Sequence, residues 1–171
     1  MEDYLADVKV VQEFAVLNRA IMAREIMKGM KWKSELEYES VHNYIDSMPD
    51  GTLLLRKGAI SAADGEKVII PVNMRDGIIL GTGKGNADWN YSAPHGSGRK
   101  LKREDVKKSF TVSAFKSEMK GIYSTCIGPE TLDEAPFAYR RLEDMLEIVG
   151  DSVEVNEVIT SVYNFKAEEM K

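Results

Sequence analysis

The sequence of 171 residues contains only one cysteine, Cys126, and two histidines, His42 and His95. A single cysteine excludes an internal disulfide and a cysteine-rich zinc site, and it favours a reducing, cytoplasmic environment. No apolar run approaches the roughly 18 residues of a membrane span, and the acidic start does not resemble a signal peptide. We therefore expect no membrane partner. Any chemistry that needs an imidazole must use one of the two histidines.

Acidic residues outnumber basic ones by 28 to 23, so the net charge is −5, and 43% of the residues are hydrophobic. That apolar fraction is too high for a disordered chain. The length suits one domain built around a single core. We therefore predict one α+β domain over residues 1–171.

Short strands and a few helices, joined by tight turns, are predicted along the chain. Apolar residues spaced three and four apart predict one amphipathic helix over residues 1–30, packed against a sheet. Alternating residues from 35 to 44 predict the first strand. Further strands are predicted at 52–56, 68–72, 78–80, 122–124 and 153–165. Further helices are predicted at 103–119, in two pieces, and at 142–149. This order indicates an antiparallel or mixed sheet with flanking helices.

A long loop rich in glycine, asparagine and serine is predicted from residue 81 to 99, and loops of this length inside a domain are often functional. Its first part, residues 81–85, has three glycines that could present backbone amides to a phosphate. The spacing does not match a Walker loop, and Asn86 occupies the third glycine position of a dinucleotide motif. A plain turn is the alternative.

The second part of this loop places His95 before Gly96, Ser97, Gly98 and Arg99. The glycines leave the imidazole sterically open and can turn their amides toward one point. Arg99 adds a bidentate donor for phosphate. A nucleophile, oxyanion donors and countercharge are the groups that attack on phosphorus requires. The alternative is a histidine in a solvated loop.

His42 and Asn43 lie on the predicted first strand, with His42 on the same face as Tyr38 and Tyr44. A histidine among aromatic residues is either a packed, hydrogen-bonded residue or a metal ligand. A metal site needs further ligands, and a chain with one cysteine and two histidines has few of them.

A basic segment follows His95. Residues 99–108 contain six basic residues and two acidic ones, and Arg99 and Lys100, the candidate contacts to phosphate or RNA, are nearest to the histidine. Such a segment suits a polyanion such as RNA or a triphosphate. A solvated helix face of mixed charge is the equal alternative.

Together these features resemble the C-terminal half of the RtcB-type RNA-splicing ligases, over residues 4 to 166. The resemblance rests on the following segments: His42-Asn43-Tyr44, Arg56-Lys57-Gly58-Ala59, residues 71–77, Gly83-Lys84-Gly85-Asn86, residues 92–99, Asp133-Glu134-Ala135-Pro136, Ala138-Tyr139 and Lys166. The His-Gly-Ser-Gly-Arg stretch, preceded by Ser-Ala-Pro, is specific when it occurs with the others.

The resemblance implies a ligase that uses GTP and manganese to join an RNA end with a 3′-phosphate or 2′,3′-cyclic phosphate to a 5′-hydroxyl end. It implies that His95 is the nucleophile that becomes guanylylated and that His42 is a manganese ligand. The GMP would pass to the RNA 3′-phosphate, and the 5′-hydroxyl would then displace it.

The resemblance also implies a guanylate site. Gly96, Ser97 and Gly98 would hold the guanylate beside the nucleophile, and Asn43 would follow His42 in the nucleotide site. Ile78 stands where many relatives have serine. The remaining implied nucleotide contacts are Pro71, Val72, Asn73, Met74, Ile78, Tyr139 and Lys166.

Finally, the resemblance implies that this chain is the C-terminal part of a longer ligase. The family binds metal through one Asp, one Cys and three His, of which only His42 has a counterpart here, and Cys126 is interpreted as a buried small residue. We therefore expect that the chain alone neither holds manganese tightly nor ligates RNA. The N-terminal half would be its missing partner, and the apolar surface left uncovered favours a homo-oligomer. The alternatives are a non-catalytic nucleotide- or RNA-binding module and a purely structural domain.

Overall fold

The computed structural model describes residues 2–35, 37 and 39–165. The chain begins with the predicted long helix, α1, over Glu2–Met30. The helix ends in a Schellman turn, because Lys31 adopts a left-handed φ of 56° and the amide of Trp32 donates to the carbonyl of Met27 at 2.9 Å. The spacing of apolar residues therefore predicted the extent of this helix correctly.

Eight strands and three further helices follow α1 in the described part of the chain. The strands are β1 (His42–Ser47), β2 (Leu53–Ser61), β3 (Lys67–Asn73), β4 (Gly77–Gly83), β5 (Ser92–Pro94), β6 (Tyr123–Ser124), β7 (Val153–Ile159) and β8 (Tyr163–Asn164). The helices are α2 (Arg103–Ser109), α3 (Val112–Glu118) and α4 (Leu142–Val149). Short 3₁₀ turns span Ala87–Trp89, Leu132–Glu134 and Pro136–Ala138.

The strands form two antiparallel sheets and one short parallel pair. The first sheet has the order β1-β2-β5 and the second has the order β3-β4-β7, while β6 and β8 pair in parallel. The predicted α+β class with antiparallel or mixed sheets and flanking helices is thus confirmed. The prediction of one domain over residues 1–171 stays a prediction.

The main core lies between the two antiparallel sheets and α4. Its fully buried members include Ile60 of β2, Ile70 of β3, Ile79 of β4 and Met145 of α4. The side chains of β4 alternate strictly between buried and half-buried positions, as a strand packed on one face requires. This core fixes the relative position of the two sheets.

A second apolar cluster is built by the helical part of the chain. Val106 of α2 and Phe115 of α3 are fully buried there, together with Met74 from the end of β3. The ring of Phe110 stacks on that of Phe137 at a centroid distance of 4.0 Å. Cys126 belongs to this cluster and is only 5% exposed, so the interpretation as a buried small residue is confirmed.

The expected packing of α1 against a sheet is confirmed only in part, because α1 contacts β1 and has a half-buried stripe, while much of its apolar surface is exposed. Large apolar side chains remain more than half exposed along its length: Tyr4, Val10, Val11, Phe14, Leu17, Ile21, Met22, Ile26 and Met30. The helix approaches the first sheet only along a cleft of about 640 Å³ that is lined by residues of α1, by residues 39–41 and by Tyr44. None of the helices among the described residues is both long and apolar enough to cross a membrane.

The first strand also lies further along the chain than predicted. It occupies His42–Ser47 rather than residues 35–44, and Leu36 and Tyr38 lie outside the described residues. The register of β1 on β2, with Tyr44 opposite Arg56, explains the shift. Arg56, only 3% exposed, donates to the hydroxyl of Tyr44 at 3.0 Å and to Asp46 at 2.7 Å. This buried arginine needs those acceptors, and they lie after residue 42.

Core side chains are buried and apolar side chains of α1 are exposed, so we expect substitutions at the two places to change the free energy of unfolding by different amounts. Ile70→Ala should lower the free energy of unfolding by about 3 kcal/mol, because it removes a fully buried side chain and leaves a cavity. Ile26→Ala, at a position that is 60% exposed on α1, should change it by less than about 0.5 kcal/mol. Urea unfolding of the two variants compares them directly, and equal losses would contradict the exposed position of α1.

Candidate functional site

His95 stands directly after β5, and the pairing of β5 with β2 brings it to Gly58. Pro94 lies opposite Ala59 in this pairing. The backbone amide of His95 donates to the carbonyl oxygen of Gly58 at 3.3 Å, and the ring nitrogen Nδ1 lies 2.7 Å from the same oxygen. The carbonyl of Gly58 therefore holds both the backbone and the side chain of His95.

This contact determines the tautomer of His95. A carbonyl oxygen only accepts hydrogen bonds, so Nδ1 must carry the proton that it donates to Gly58. Nε2 of the neutral ring is then left with its lone pair. Because His95 is exposed, that lone pair is accessible to a ligand.

Asn43 in turn holds Gly58. It occupies a β-bulge of β1, where its φ is 58°, and its side-chain oxygen Oδ1 accepts a hydrogen bond from the amide of Gly58 at 2.7 Å. Gly58 itself has a φ of 68°, a conformation that favours glycine. Asn43 thus acts on His95 through the backbone of Gly58.

The two histidines of the chain lie side by side. The rings of His42 and His95 stack with their centroids 5.0 Å apart and an interplanar angle of 11°. The pKa of His42 lies below its ordinary value of 6.5, because burial disfavours the charged ring and because His95 and Arg19 add like charge. His42 is therefore a neutral imidazole at neutral pH and can act as a metal ligand.

The implied manganese site can be compared with the side chains that the structure describes. No group of three or more His, Cys, Asp or Glu side chains among them could hold a metal ion. His42 offers one nitrogen donor, and a transition metal in a protein takes several. The residues present therefore do not form a complete manganese site by themselves.

The loop after His95 crosses from the first sheet to the second. The amide of Ser97 donates to the carbonyl of Pro71 at 3.1 Å, and its hydroxyl donates to the carbonyl of Val72 at 2.5 Å. Ser97 is only 4% exposed. The structure thus brings residues 96–98 against the end of β3, which the resemblance assigned to the same nucleotide site.

The side chains at the end of β3 have unequal roles. Val72 and Met74 are buried in the two cores, so they face away from a ligand and only their backbone is available to one. Asn73 organises the turn that follows, because its side-chain oxygen accepts from the amides of Arg75 and Asp76. Ile78 pairs with Pro71 across β3 and β4. Their roles as nucleotide contacts stay predictions.

The prediction of one loop over residues 81–99 is wrong, because β4 extends to Gly83 and β5 lies within the range. Gly81 and Gly83 belong to β4, and a Cβ atom at Gly83 would lie 2.3 Å from the carbonyl oxygen of Ala63. Lys84 directs its ammonium group to the carbonyl of Gly150 at 2.5 Å. These contacts argue against a phosphate site, and the first three residues of the segment belong to a strand rather than to a plain turn.

Arg99 is bound to its own chain. Its guanidinium donates to Glu134 at 2.5 Å, to the hydroxyl of Tyr139 at 2.7 Å and to the carbonyl of Asp133 at 2.6 Å. It also stacks over the ring of Tyr139 at 4.6 Å. The pKa of Tyr139 is raised, because the residue is partly buried and its hydroxyl donates to Glu134. Arg99 and Tyr139 therefore form one internal network.

Four of the six basic residues in the segment 99–108 are paired with acids. Besides Arg99, Lys100 pairs with Asp144 at 2.6 Å, and Arg103 and Lys107 pair with Asp133 at 2.5 and 3.5 Å. Burial would raise the pKa of Asp133, but hydrogen bonding from Arg103 holds it below the ordinary value. The segment is therefore closer to a surface of mixed charge than to a uniformly positive one. Contacts of Arg99 and Lys100 to phosphate or RNA stay predictions.

Two groups at this site were not assigned a role from the sequence. The carbonyl of Gly58 orients His95, and the guanidinium of Arg140 lies on the loop after it, 3.1 Å from the carbonyl of Ser97. Gly58 lies in a segment that carries the family resemblance, but the sequence does not show what a backbone carbonyl contacts. Lys166 lies outside the described residues.

Comparison with known proteins gives the class of protein to which this histidine-centred site belongs. A family model described as tRNA-splicing ligase RtcB matches residues 1–167. The chain is 31% identical over 170 residues to RNA-splicing ligase RtcB of Escherichia coli strain K12, covering 90% of this chain and 41% of that protein. It is 27% identical over 181 residues to tRNA-splicing ligase RtcB of Aeropyrum pernix, covering 86% of this chain and 37% of that protein.

The chain belongs to the RtcB family of RNA-splicing ligases, since the family model matches almost all of its residues. It spans about two fifths of the length of these curated relatives.

The environment of His42 leads to a prediction about its titration. In NMR titrations of the ring protons, we expect His42 to have a pKa below 6.5, and we expect His95→Gln to raise it, because the variant removes a like charge. Since the folded state holds this pKa below the unfolded value, the contribution of His42 to stability is complete above pH 6.5 and decreases as the pH falls through the folded pKa.

The control is His42→Gln, which should remove this part of the pH dependence of urea unfolding. A His42 ring that titrates at or above pH 6.5 would contradict the geometry of the stacked pair.

Proposed function

We propose that this chain is the nucleophile-bearing part of a GTP-dependent RNA ligase. The ligase joins RNA ends that carry a 3′-phosphate or a 2′,3′-cyclic phosphate to ends that carry a 5′-hydroxyl, through a guanylylated His95. Support comes from membership of the RtcB family and from the names of the relatives, which are RNA- and tRNA-splicing ligases.

The observation that carries the proposal is the hydrogen bond between Nδ1 of His95 and the carbonyl of Gly58. It leaves the lone pair of Nε2 accessible at the surface, in a loop whose next residues are small. A neutral imidazole is a competent nucleophile at neutral pH, whereas a lysine at its ordinary pKa is protonated.

The first proposed step forms a bond between Nε2 of His95 and the α-phosphorus of GTP. The bond from that phosphorus to the leaving pyrophosphate breaks, and pyrophosphate takes the electron pair. The proton stays on Nδ1, where the carbonyl of Gly58 stabilises the positive charge that develops on the ring.

The next step returns the histidine to its neutral form. An oxygen of the RNA 3′-phosphate attacks the same phosphorus, and the bond to Nε2 breaks; a 2′,3′-cyclic phosphate end is first opened by water to the 3′-phosphate. The RNA 5′-hydroxyl then attacks the activated 3′-phosphate, its proton is lost, and GMP leaves. The nucleophilic histidine thus divides one difficult joining reaction into easier displacements.

Manganese is part of the proposal as a Lewis acid that offsets the charge of the triphosphate. His42 is the donor that this chain would contribute, and the other ligands would come from the part of the ligase that this chain does not contain. The exposed apolar side of α1 is the surface that this missing partner would cover, and self-association is the alternative. A cytoplasmic location belongs to the same proposal, and the unpaired, buried thiol of Cys126 is compatible with it.

One observation favours a second function. Because the described residues form no metal-binding group, the chain by itself could be a non-catalytic module that binds a nucleotide or RNA.

Mass spectrometry tests the guanylylated histidine. When the complete ligase containing this chain is incubated with GTP and Mn²⁺, we expect a mass increase of one GMP, which His95→Ala should abolish. GTP labelled at the α-phosphate should label the protein and GTP labelled at the γ-phosphate should not. Because a phosphoramidate is hydrolysed by acid, mild acid should remove the label. Equal labelling of the His95→Ala variant would refute the role of His95.

A ligation assay separates the two functions. The isolated chain, supplied with GTP, Mn²⁺ and RNA ends of the required chemistry, should not join them, because one ligand does not hold the metal. Efficient joining, or a stable guanylyl adduct on the isolated chain, would show that the chain is catalytically complete. If the complete ligase also fails to join the ends, the non-catalytic module becomes the better description.

A further inference from the structure

Arg99 follows the His95 loop in sequence, but its guanidinium is already used. Three of its N–H groups donate to the carbonyl of Asp133, to Glu134 and to Tyr139, and Glu134 is its ion-pair partner. Turning this guanidinium toward a phosphate would break a partly buried network. A residue without an acidic partner is better placed to supply the charge that faces a nucleotide at this loop.

The side chain of Arg140 contacts the same loop, and most of its guanidinium N–H groups have no acceptor among the described residues. Its Nη1 donates to the carbonyl of Ser97 at 3.1 Å, and it lies 2.8 Å from the position that a Cβ atom of Gly98 would occupy. The backbone amide of Arg140 also donates to the carbonyl of Gly98 at 3.3 Å. The guanidinium thus rests against Ser97 and Gly98, two and three residues after the nucleophile.

No acid competes for this guanidinium. Among the residues that the structure describes, none forms an ion pair with Arg140, and the side chain is exposed. Its neighbour Arg141, by contrast, pairs with Glu118 at 3.2 Å. Arg140 therefore retains a full positive charge and free N–H groups beside the loop.

The backbone of the loop offers donors at the same place. Within residues 39–165, neither the amide of Gly96 nor that of Gly98 donates to a protein acceptor, whereas the amide of Ser97 donates to Pro71. Gly98 has a φ of 67°, which only glycine adopts readily, and a side chain there would meet Arg140. Two free amides and one guanidinium next to His95 are the donors that a phosphate group needs.

We propose that Arg140, together with the amides of Gly96 and Gly98, binds the phosphate of the nucleotide at the His95 loop. Arg99 instead stabilises the internal network that it forms with Glu134 and Tyr139. This inference rests on the proposed function, in which the loop holds a guanylate. It assigns the phosphate contact to a residue outside the His-Gly-Ser-Gly-Arg stretch.

The test compares a nucleotide with its nucleoside. GMP and guanosine are titrated into the chain, and binding is followed by NMR through the amide signals of Gly96 and Gly98 and the Nε signal of Arg140. We expect wild type to bind GMP more tightly than guanosine. Arg140→Gln should weaken GMP binding about tenfold and leave guanosine binding within about twofold, because a charge-assisted hydrogen bond to phosphate is lost. Arg140→Lys should lie between.

Arg141→Gln is the matched control, since it removes the same charge from the next residue and leaves the loop untouched. It should change neither affinity by more than about twofold. The amide spectra of the free variants show whether each remains folded, so that a loss of binding can be separated from a loss of structure.

The outcomes distinguish this inference from the function on which it rests. If wild type prefers GMP to guanosine and Arg140→Gln keeps that preference, Arg140 is not the phosphate contact and the nucleotide site stands. If Arg141→Gln weakens GMP binding equally, the effect is one of general charge and the inference fails. If wild type does not prefer GMP, the phosphate site and the inference fail together.

Discussion

The carbonyl oxygen of Gly58 receives both the backbone amide and the Nδ1 proton of His95, and the chemistry of the site depends on this contact. It fixes the tautomer, orients the ring and leaves the opposite nitrogen with a lone pair. Three local features position that oxygen: the left-handed φ of Gly58, the bulge at Asn43 and the hydrogen bond between the two residues. A backbone acceptor is well suited to this task, because it remains neutral at every pH.

The candidate site joins the two antiparallel sheets. His95 belongs to the first sheet through β5, and Ser97 is bound to the end of β3 in the second. Beyond Ser97, Arg99 and Arg140 attach the loop to the helical part of the chain. Three structural units thus meet at five consecutive residues, which limits the movement of His95 relative to the end of β3.

The charged residues near the site fall into two groups. Arg99, Arg103 and Lys107 pair with Asp133 and Glu134 and stabilise this part of the structure. Arg140 has no such partner among the described residues and remains available for a ligand. The apolar side of α1 is exposed, and the chain spans about two fifths of the length of its curated relatives.

Periodicity in the sequence determined which segments are helices and strands, because local hydrogen bonding and the alternation of apolar residues depend on neighbours along the chain. α1, β3, β4 and α4 were predicted for this reason, and His95 is a candidate site residue because of its open, glycine-rich surroundings. The boundaries of β1 and the exposure of α1 could not be predicted, since they depend on the acceptors of Arg56 and on contacts between distant segments. Only the tertiary structure decided that Gly58 orients His95, that Arg99 is bound internally and that Arg140 contacts Ser97, because each of these contacts joins residues about 35 to 45 positions apart.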